Sequence, residues 1–288
     1  MYQLITDSGC DLPFQTLQAH HVAFVSMHFN LDGQEITDDL GQSYDINDCF
    51  EKIAAGVMPT TTQVNVGEFL NCFTPYVEAK TPILYLGFSS GLSGTYNSAV
   101  QARAMLLEDH PDAEIYVVDS RAASAGLGLM VLDAVAKQAA GMPIAELAQW
   151  LTEQRNYYHQ WFTVDDLNYL YHGGRLSRTS AALGTLLKIK PVMNVDEPGH
   201  LAVVGKVRSR AKSLQALADH ILTAMGDQQA TTIIIAHSHD QAAAEVVQTK
   251  LAAAAPAATI KLLQIGLTIS SHTGISCVAV FVHGTIER

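Results

Sequence analysis

Short apolar runs alternate along the first half of the chain with stretches whose apolar residues recur every three or four positions. The runs are Leu4-Ile5-Thr6, Val22 to Phe29, Ile83 to Phe88 and Ile115 to Asp119. Between and after them, helix-like periodicity covers Pro13 to His20, Ile46 to Ala55, a stretch from about Ser93, and the alanine-rich segment Ala122 to Ala136. Strand-sized runs of β-forming residues separated by amphipathic stretches predict a parallel sheet covered by helices. In such a sheet, ligands gather where loops leave the carboxyl ends of the strands. Three of those loops are small and polar: Thr6-Asp7-Ser8-Gly9, Ser89 to Thr95, and Asp119-Ser120.

The pattern changes after a helical stretch from Pro143 to Gln154. Strand-like runs at Trp161 to Val164, Ile189 to Val195, Leu201 to Arg208, Thr231 to His237 and Ser276 to His283 are mixed with helices. Asp196-Glu197-Pro198-Gly199 reads as a hairpin turn between two of them. This half is α+β in character. A chain of 288 residues exceeds the size at which one core keeps growing comfortably, so two lobes are expected: residues 1–155 and 156–288.

Charge and cysteine usage narrow the classes of function. A net charge of -11 disfavours a sequence-independent grip on phosphate backbones or anionic membranes. Nucleic acid is not an expected partner. The four cysteines, Cys10, Cys49, Cys72 and Cys277, are scattered without metal-ligand or redox spacing, and read as reduced thiols. The N-terminal residues lack the basic and apolar regions of a secretion signal, and Ala122 to Ala136 is too short to span a bilayer. A cytoplasmic protein without stable membrane insertion is the expectation.

The loop Ser89-Ser90-Gly91-Leu92-Ser93-Gly94-Thr95 joins a strand to a helix, the geometry of an anion cradle. Neither the Walker ending Gly-Lys-Ser/Thr nor G-x-G-x-x-G is present, so a nucleotide is poorly supported. A carboxylate needs only hydroxyl and amide donors, which Ser89, Ser90, Ser93 and Thr95 provide. Ser93 also fits a plain helix N-cap. A sharper rival is Gly87-Phe88-Ser89-Ser90-Gly91, which matches the G-x-S-x-G elbow of serine hydrolases, with Asp119 or Asp165 and then His237 or His272 downstream. No His-Gly-rich oxyanion loop precedes it. His237-Ser238-His239 and His20-His21 lack metal-site spacing and read as solvated loop residues, so no metal is expected. Gly126-Leu127-Gly128 is half a dinucleotide fingerprint, with Val131 where the third glycine belongs. Two basic clusters, Gly173 to Arg178 and Lys206 to Lys212, are either solvated faces or a docking patch.

Taken in order, the motifs resemble the DegV family, which includes the fatty-acid-binding subunits (FakB) of bacterial fatty acid kinase. The matching residues are Thr6-Asp7-Ser8 with Asp11-Leu12, Pro59 to Gln63 with Gly67-Glu68-Phe69, Ser89 to Tyr96, and Asp119-Ser120. They continue with Gly173-Gly174-Arg175-Leu176-Ser177, Leu187 to Val192, Val207-Arg208 with Lys212, Ile265-Gly266, and His272-Thr273-Gly274. The resemblance implies a two-lobed α/β fold, with a parallel α/β N-terminal lobe, an α+β C-terminal lobe and a ligand tunnel between them. One long-chain fatty acid would lie there, its carboxylate met by Thr61 or Thr62, by Ser93 with the amide of Gly94, and by His272. Thr6, Asp7, Ser8, Ser89, Ser90, Asp119 and Ser120 would support the loops. Arg175 and Arg208 resemble the family's partner-facing surface.

On this resemblance the protein does no chemistry and needs no cofactor. It presents the carboxylate to a separate ATP-dependent kinase, which makes an acyl phosphate for phospholipid synthesis. A carrier of another amphipathic lipid shares the same requirements. The family's Thr-Ser-Gln-Pro is here Thr61-Thr62-Gln63-Val64, a hydroxyl-for-hydroxyl change followed by loss of a stiffening proline. Its Ile-Gly-Pro and His-x-Gly-Pro-Gly are here Ile265-Gly266-Leu267 and His272-Thr273-Gly274-Ile275-Ser276.

Overall fold

The computed structural model describes residues 2–176, 189–228 and 230–288. Ser177, Arg178, Leu187 and Lys188 lie outside the described residues. Four short strands form the parallel sheet: β1 (Gln3–Asp7), β2 (Ala23–Val25), β6 (Ile83–Gly87) and β7 (Ile115–Asp119), in the order β2-β1-β6-β7. Every pairing in it is parallel. Buried on both faces, β6 is apolar along its whole length, as a helix-covered sheet requires. Helices α1 (Phe14–Ala19), α3 (Val66–Glu78), α4 (Thr95–Asp109) and α5 (Ala125–Ala139) belong to this half.

The run Val22 to Phe29, which reads as one strand, divides in two. After β2 the chain leaves the parallel sheet at Ser26-Met27, and β3 (His28–Leu31) pairs with β4 (Gln34–Thr37) and β5 (Thr60–Thr62) in a separate antiparallel ribbon. The amide of Met27 donates to Ser8 Oγ at 3.0 Å, which anchors the switch point. Helix α2 (Ile46–Ala54) follows, started by Asp45, whose carboxylate accepts from Asn47 N. A capping box starts α3: Asn65 and Glu68 each accept from the other's amide.

From α6 (Ile144–Gln154) the chain builds a six-stranded mixed sheet, β10-β9-β8-β13-β11-β12. Its strands are β8 (Tyr158–Thr163), β9 (Ile189–Val195), β10 (Leu201–Arg208), β11 (Thr232–His237), β12 (Thr259–Gln264) and β13 (Val278–His283). β9 and β10 form an antiparallel hairpin around Asp196–His200, with Gly199 at φ +92°, a conformation glycine adopts without strain. Helices α7 (Asn168–His172), α8 (Arg210–Met225), α9 (Gln241–Ala254) and α10 (Leu267–Thr273) complete the described chain. One apolar cluster draws on both halves, from Leu4 and Leu84 to Phe162, Ile234 and Phe281, so the two halves share a core.

Candidate ligand-binding site

The three polar loops at the carboxyl ends of the parallel strands are tied to one another by hydrogen bonds, buried between the first two and exposed between Ser90 and Asp119. Thr6 Oγ1 donates to the Leu86 carbonyl at 3.0 Å, and Ser8 Oγ holds Met27. Asp7, fully buried, accepts from Tyr85 Oη at 2.6 Å, Phe88 N at 2.8 Å and Gly9 N at 3.1 Å. Burial lifts its carboxyl to about 6 despite those donors. Asp119 accepts from the amide and hydroxyl of Ser90, and Ser120 Oγ accepts from Ala122 N. These bonds fix the path of residues 88 to 95.

Ser89 is not placed as a nucleophile. It is buried, its hydroxyl donates to the Gly199 carbonyl at 2.8 Å, and its oxygen accepts from Gly91 N. No histidine is among those partners. Asp119 is engaged with Ser90, and Asp165 pairs with Lys190 at 2.7 Å, so the hydrolase arrangement does not assemble. The elbow-like spacing instead lets the loop grip the β9–β10 hairpin.

Ser93 does not cap α4 in the ordinary way. The N-cap is Gly94, and Ser93 Oγ accepts from Thr95 N at 3.2 Å while Ser93 borders a partly open cavity. Thr61, Thr62, Ser93 and His272 all border that cavity, although 211 residues separate Thr61 from His272 in sequence. Thr61 Oγ1 lies 2.8 Å from His272 Nε2. Thr62 is more exposed and stands on the opposite side of β5, as strand alternation dictates. Gly94 is outside the lining; a Cβ there would come within 2.1 Å of Gln63 Oε1, so its bareness lets Gln63 pack.

The remaining walls are mostly apolar and come from both halves: Met27, Phe88, Leu92, Phe162, Ile265 and Phe281 are among them. The free space among these side chains, about 780 Å3 with the part that opens to solvent, is narrow. Among its polar lining residues Thr61 and His272 meet directly, while Ser93, Ser124 and Gln160 border it from other elements.

Arg175, expected to face a partner, lines this same cavity. It is half-buried, and its Nε donates to the Leu92 carbonyl at 3.0 Å and its Nη1 to the Gly173 carbonyl at 2.5 Å. Backbone carbonyls hold its guanidinium inward. Arg208 stands exposed at the end of β10. Burial, with Arg175 nearby, holds His272 down to about 4, so the imidazole is neutral at ordinary pH. Its Nδ1 is buried and has no hydrogen-bond partner among the described residues. A neutral imidazole, two hydroxyls and one guanidinium make an environment that favours a carboxylate over a cation.

Other polar candidates lie elsewhere. His237 is the mostly buried last residue of β11, not a solvated loop group, whereas His239, His20 and His21 are exposed. Among the described residues, no group of three or more His, Cys, Asp or Glu could hold a metal ion, and no helix is long and apolar enough to cross a membrane. Cys10 is fully buried, and burial pushes its thiol well up, so it is packed. Sequence reasoning missed Met27, Gln160 and the aromatic walls, because an inward-facing residue in an apolar run carries no mark of which cavity it borders.

Fold and site together define an α/β protein with a narrow, mostly apolar cavity walled by both halves, bordered also by Thr61, Ser93, Arg175 and His272. The chain belongs to the DegV family; the model of the family described as "Uncharacterised protein, DegV family" matches residues 1–284. A DegV domain-containing protein of Clostridium perfringens is 39% identical over 287 residues, covering 100% of this chain and 99% of that one. Among solved structures, a DegV family protein from Thermus thermophilus described for its fatty acid binding aligns with a TM-score of 0.89 at 28% identity, covering 99% of each chain. A fatty acid binding DegV family protein from Streptococcus agalactiae aligns at 0.88 and 29% identity, also over 99% of each.

Proposed function

We propose that this protein is a non-enzymatic carrier of a long-chain fatty acid, with the acyl chain in the cavity and the carboxylate at Thr61 or Thr62, Ser93 and His272. The observation that carries the reading is the cavity itself, narrow and mostly apolar, with Thr61, Ser93, Arg175 and His272 in its lining and Thr61 in contact with His272. Enclosing a C16 chain removes about fourteen CH2 groups from water, on the order of 11 kcal/mol at about 0.8 kcal/mol each, before the losses of association. Such a ligand stays bound through purification. The two solved relatives described as fatty acid binding, both above a quarter identical over nearly the whole chain, support the same ligand class.

Holding a carboxylate with neutral donors, and with a single guanidinium already engaged by carbonyls, leaves the head group accessible to attack. That suits presentation to an ATP-dependent kinase, the role implied by the motif series, with Arg208 as the exposed cation available to a partner. The buried, carbonyl-bonded Ser89 argues against hydrolysis of the ligand by this chain.

Native mass spectrometry of the purified protein, followed by denaturation and identification of what is released, tests the carrier reading. A stoichiometric fatty acid is expected. A protein that is empty, and stays empty after incubation with a panel of fatty acids, overturns the reading. The kinase step is tested separately by adding a candidate kinase with ATP and looking for acyl phosphate.

A further inference from the structure

Helix α10 supplies four residues to the cavity: Thr268, Ile269, His272 and Thr273. At seven residues it is too short to hold its geometry by propensity alone. Its N-cap is Gly266, which offers no side chain, so the free amides of its first turn need acceptors from elsewhere.

Asp38 is that acceptor. Its Oδ2 takes a hydrogen bond from Thr268 N at 3.1 Å and another from Thr268 Oγ1 at 2.6 Å, across 230 residues of sequence. Asp38 is 1% exposed and does not line the cavity. It follows directly on β4, and its own amide donates to the Met27 carbonyl at 2.8 Å. One turn beyond Thr268, on the same face of α10, stands His272.

Thr61, the partner of His272, belongs to β5, which pairs with β3; β3 pairs in turn with β4. Both sides of the Thr61–His272 contact are therefore referenced to one three-stranded ribbon, Thr61 directly and His272 through Asp38 and the first turn of α10.

We propose that Asp38 is a positioning residue for the head-group site: by capping α10 it sets where His272 meets Thr61. The proposal rests on the carrier reading for its consequence, tight retention of a carboxylate, but not for the geometry it asserts. A purely structural Asp38 would change stability and leave the imidazole of the folded protein as it is.

The test uses the full chain with Asp38→Ala, Asp38→Asn, Thr268→Val and Thr268→Ser. Side-chain 15N spectra of His272 and the release rate of bound palmitate are read on folded protein. Asp38→Ala and Thr268→Val are expected to shift the His272 ring resonances and to speed release on the order of tenfold. Asp38→Asn retains an acceptor and Thr268→Ser retains the hydroxyl, so each is expected to restore both readouts toward wild type. A folded Asp38→Ala with unchanged ring resonances and unchanged release overturns the proposal. Should Asp38→Ala fail to fold, the Thr268 pair decides by the same two readouts. A wild type that retains no fatty acid overturns the carrier reading instead, while the ring resonances still judge Asp38.

Discussion

Protonating His272 should destabilise the ligand-free protein, and the effect can be isolated by replacing His272 with glutamine. Burial holds the imidazole down to about 4 from an ordinary 6.5, so between those values the unfolded chain binds a proton that the folded chain refuses. Stability from this group is therefore fully present above about 6.5 and lost as pH falls toward 4. The loss works out at about 2 kcal/mol by about pH 5, and about 3 kcal/mol at the acid limit. Asp7 acts in the opposite sense: its folded value is lifted to about 6, so its contribution is present below about 4 and lost as pH rises through 6. Asp11 and Asp38, raised by burial, share its sign. The wild type alone would mix these trends. Urea unfolding of delipidated wild type and His272→Gln, at about pH 7.5 and about pH 5, separates them, since the aspartates are common to both. Relative to the variant, the wild type should lose about 2 kcal/mol between the two conditions. A difference that is the same at both pH values would refute a buried neutral His272.

Thr61→Ala with Ser93→Ala should weaken fatty acid retention by removing two hydroxyls from the cavity lining, measured as ligand occupancy after dialysis. Gly173→Ala places a Cβ 2.0 Å from His272 Nδ1, so it should displace the ring and lower occupancy, with the His272 ring signals reporting the shift. Asp7→Ala strands three buried donors and should cost about 3 kcal/mol or more in denaturant unfolding. Ser89→Ala should cost about 1 kcal/mol and leave lipid occupancy intact, and a fluorophosphonate probe should not label Ser89 in the native protein.

The alternation of apolar runs announced the parallel sheet because buried parallel strands must be apolar on both faces, as Ile83 to Gly87 are. What escaped was set by tertiary context. Val22 to Phe29 is uniformly β-like, and it is the pairing of β2 with β1 and of β3 with β4 and β5 that reveals it serves two sheets. Thr60 to Thr62 and Gln34 to Thr37 are too short and polar to register as strands; their pairing with His28 to Leu31 makes them so. Edge strand Thr259 to Gln264 is half-exposed and follows a featureless alanine-rich stretch. In the site, Thr61, Thr62, Ser93 and His272 were legible because they sit in distinctive motifs, and the structure brings them to one cavity. Arg175 was legible as a motif residue, but a charge run does not say that the carbonyls of Leu92 and Gly173 will hold the guanidinium beside the cavity.

Where the serine loop grips the second hairpin, the two halves constrain each other's sequence. A Cβ on Gly199 would lie 2.2 Å from Ser89 Oγ, and one on Gly91 would lie 2.8 Å from the Gly199 carbonyl. Neither position is free to drift alone, although 110 residues separate Ser89 from Gly199. In a pairwise mutational scan, positions 89, 91 and 199 should behave as a single unit of inheritance, each substitution judged by what stands at the other two.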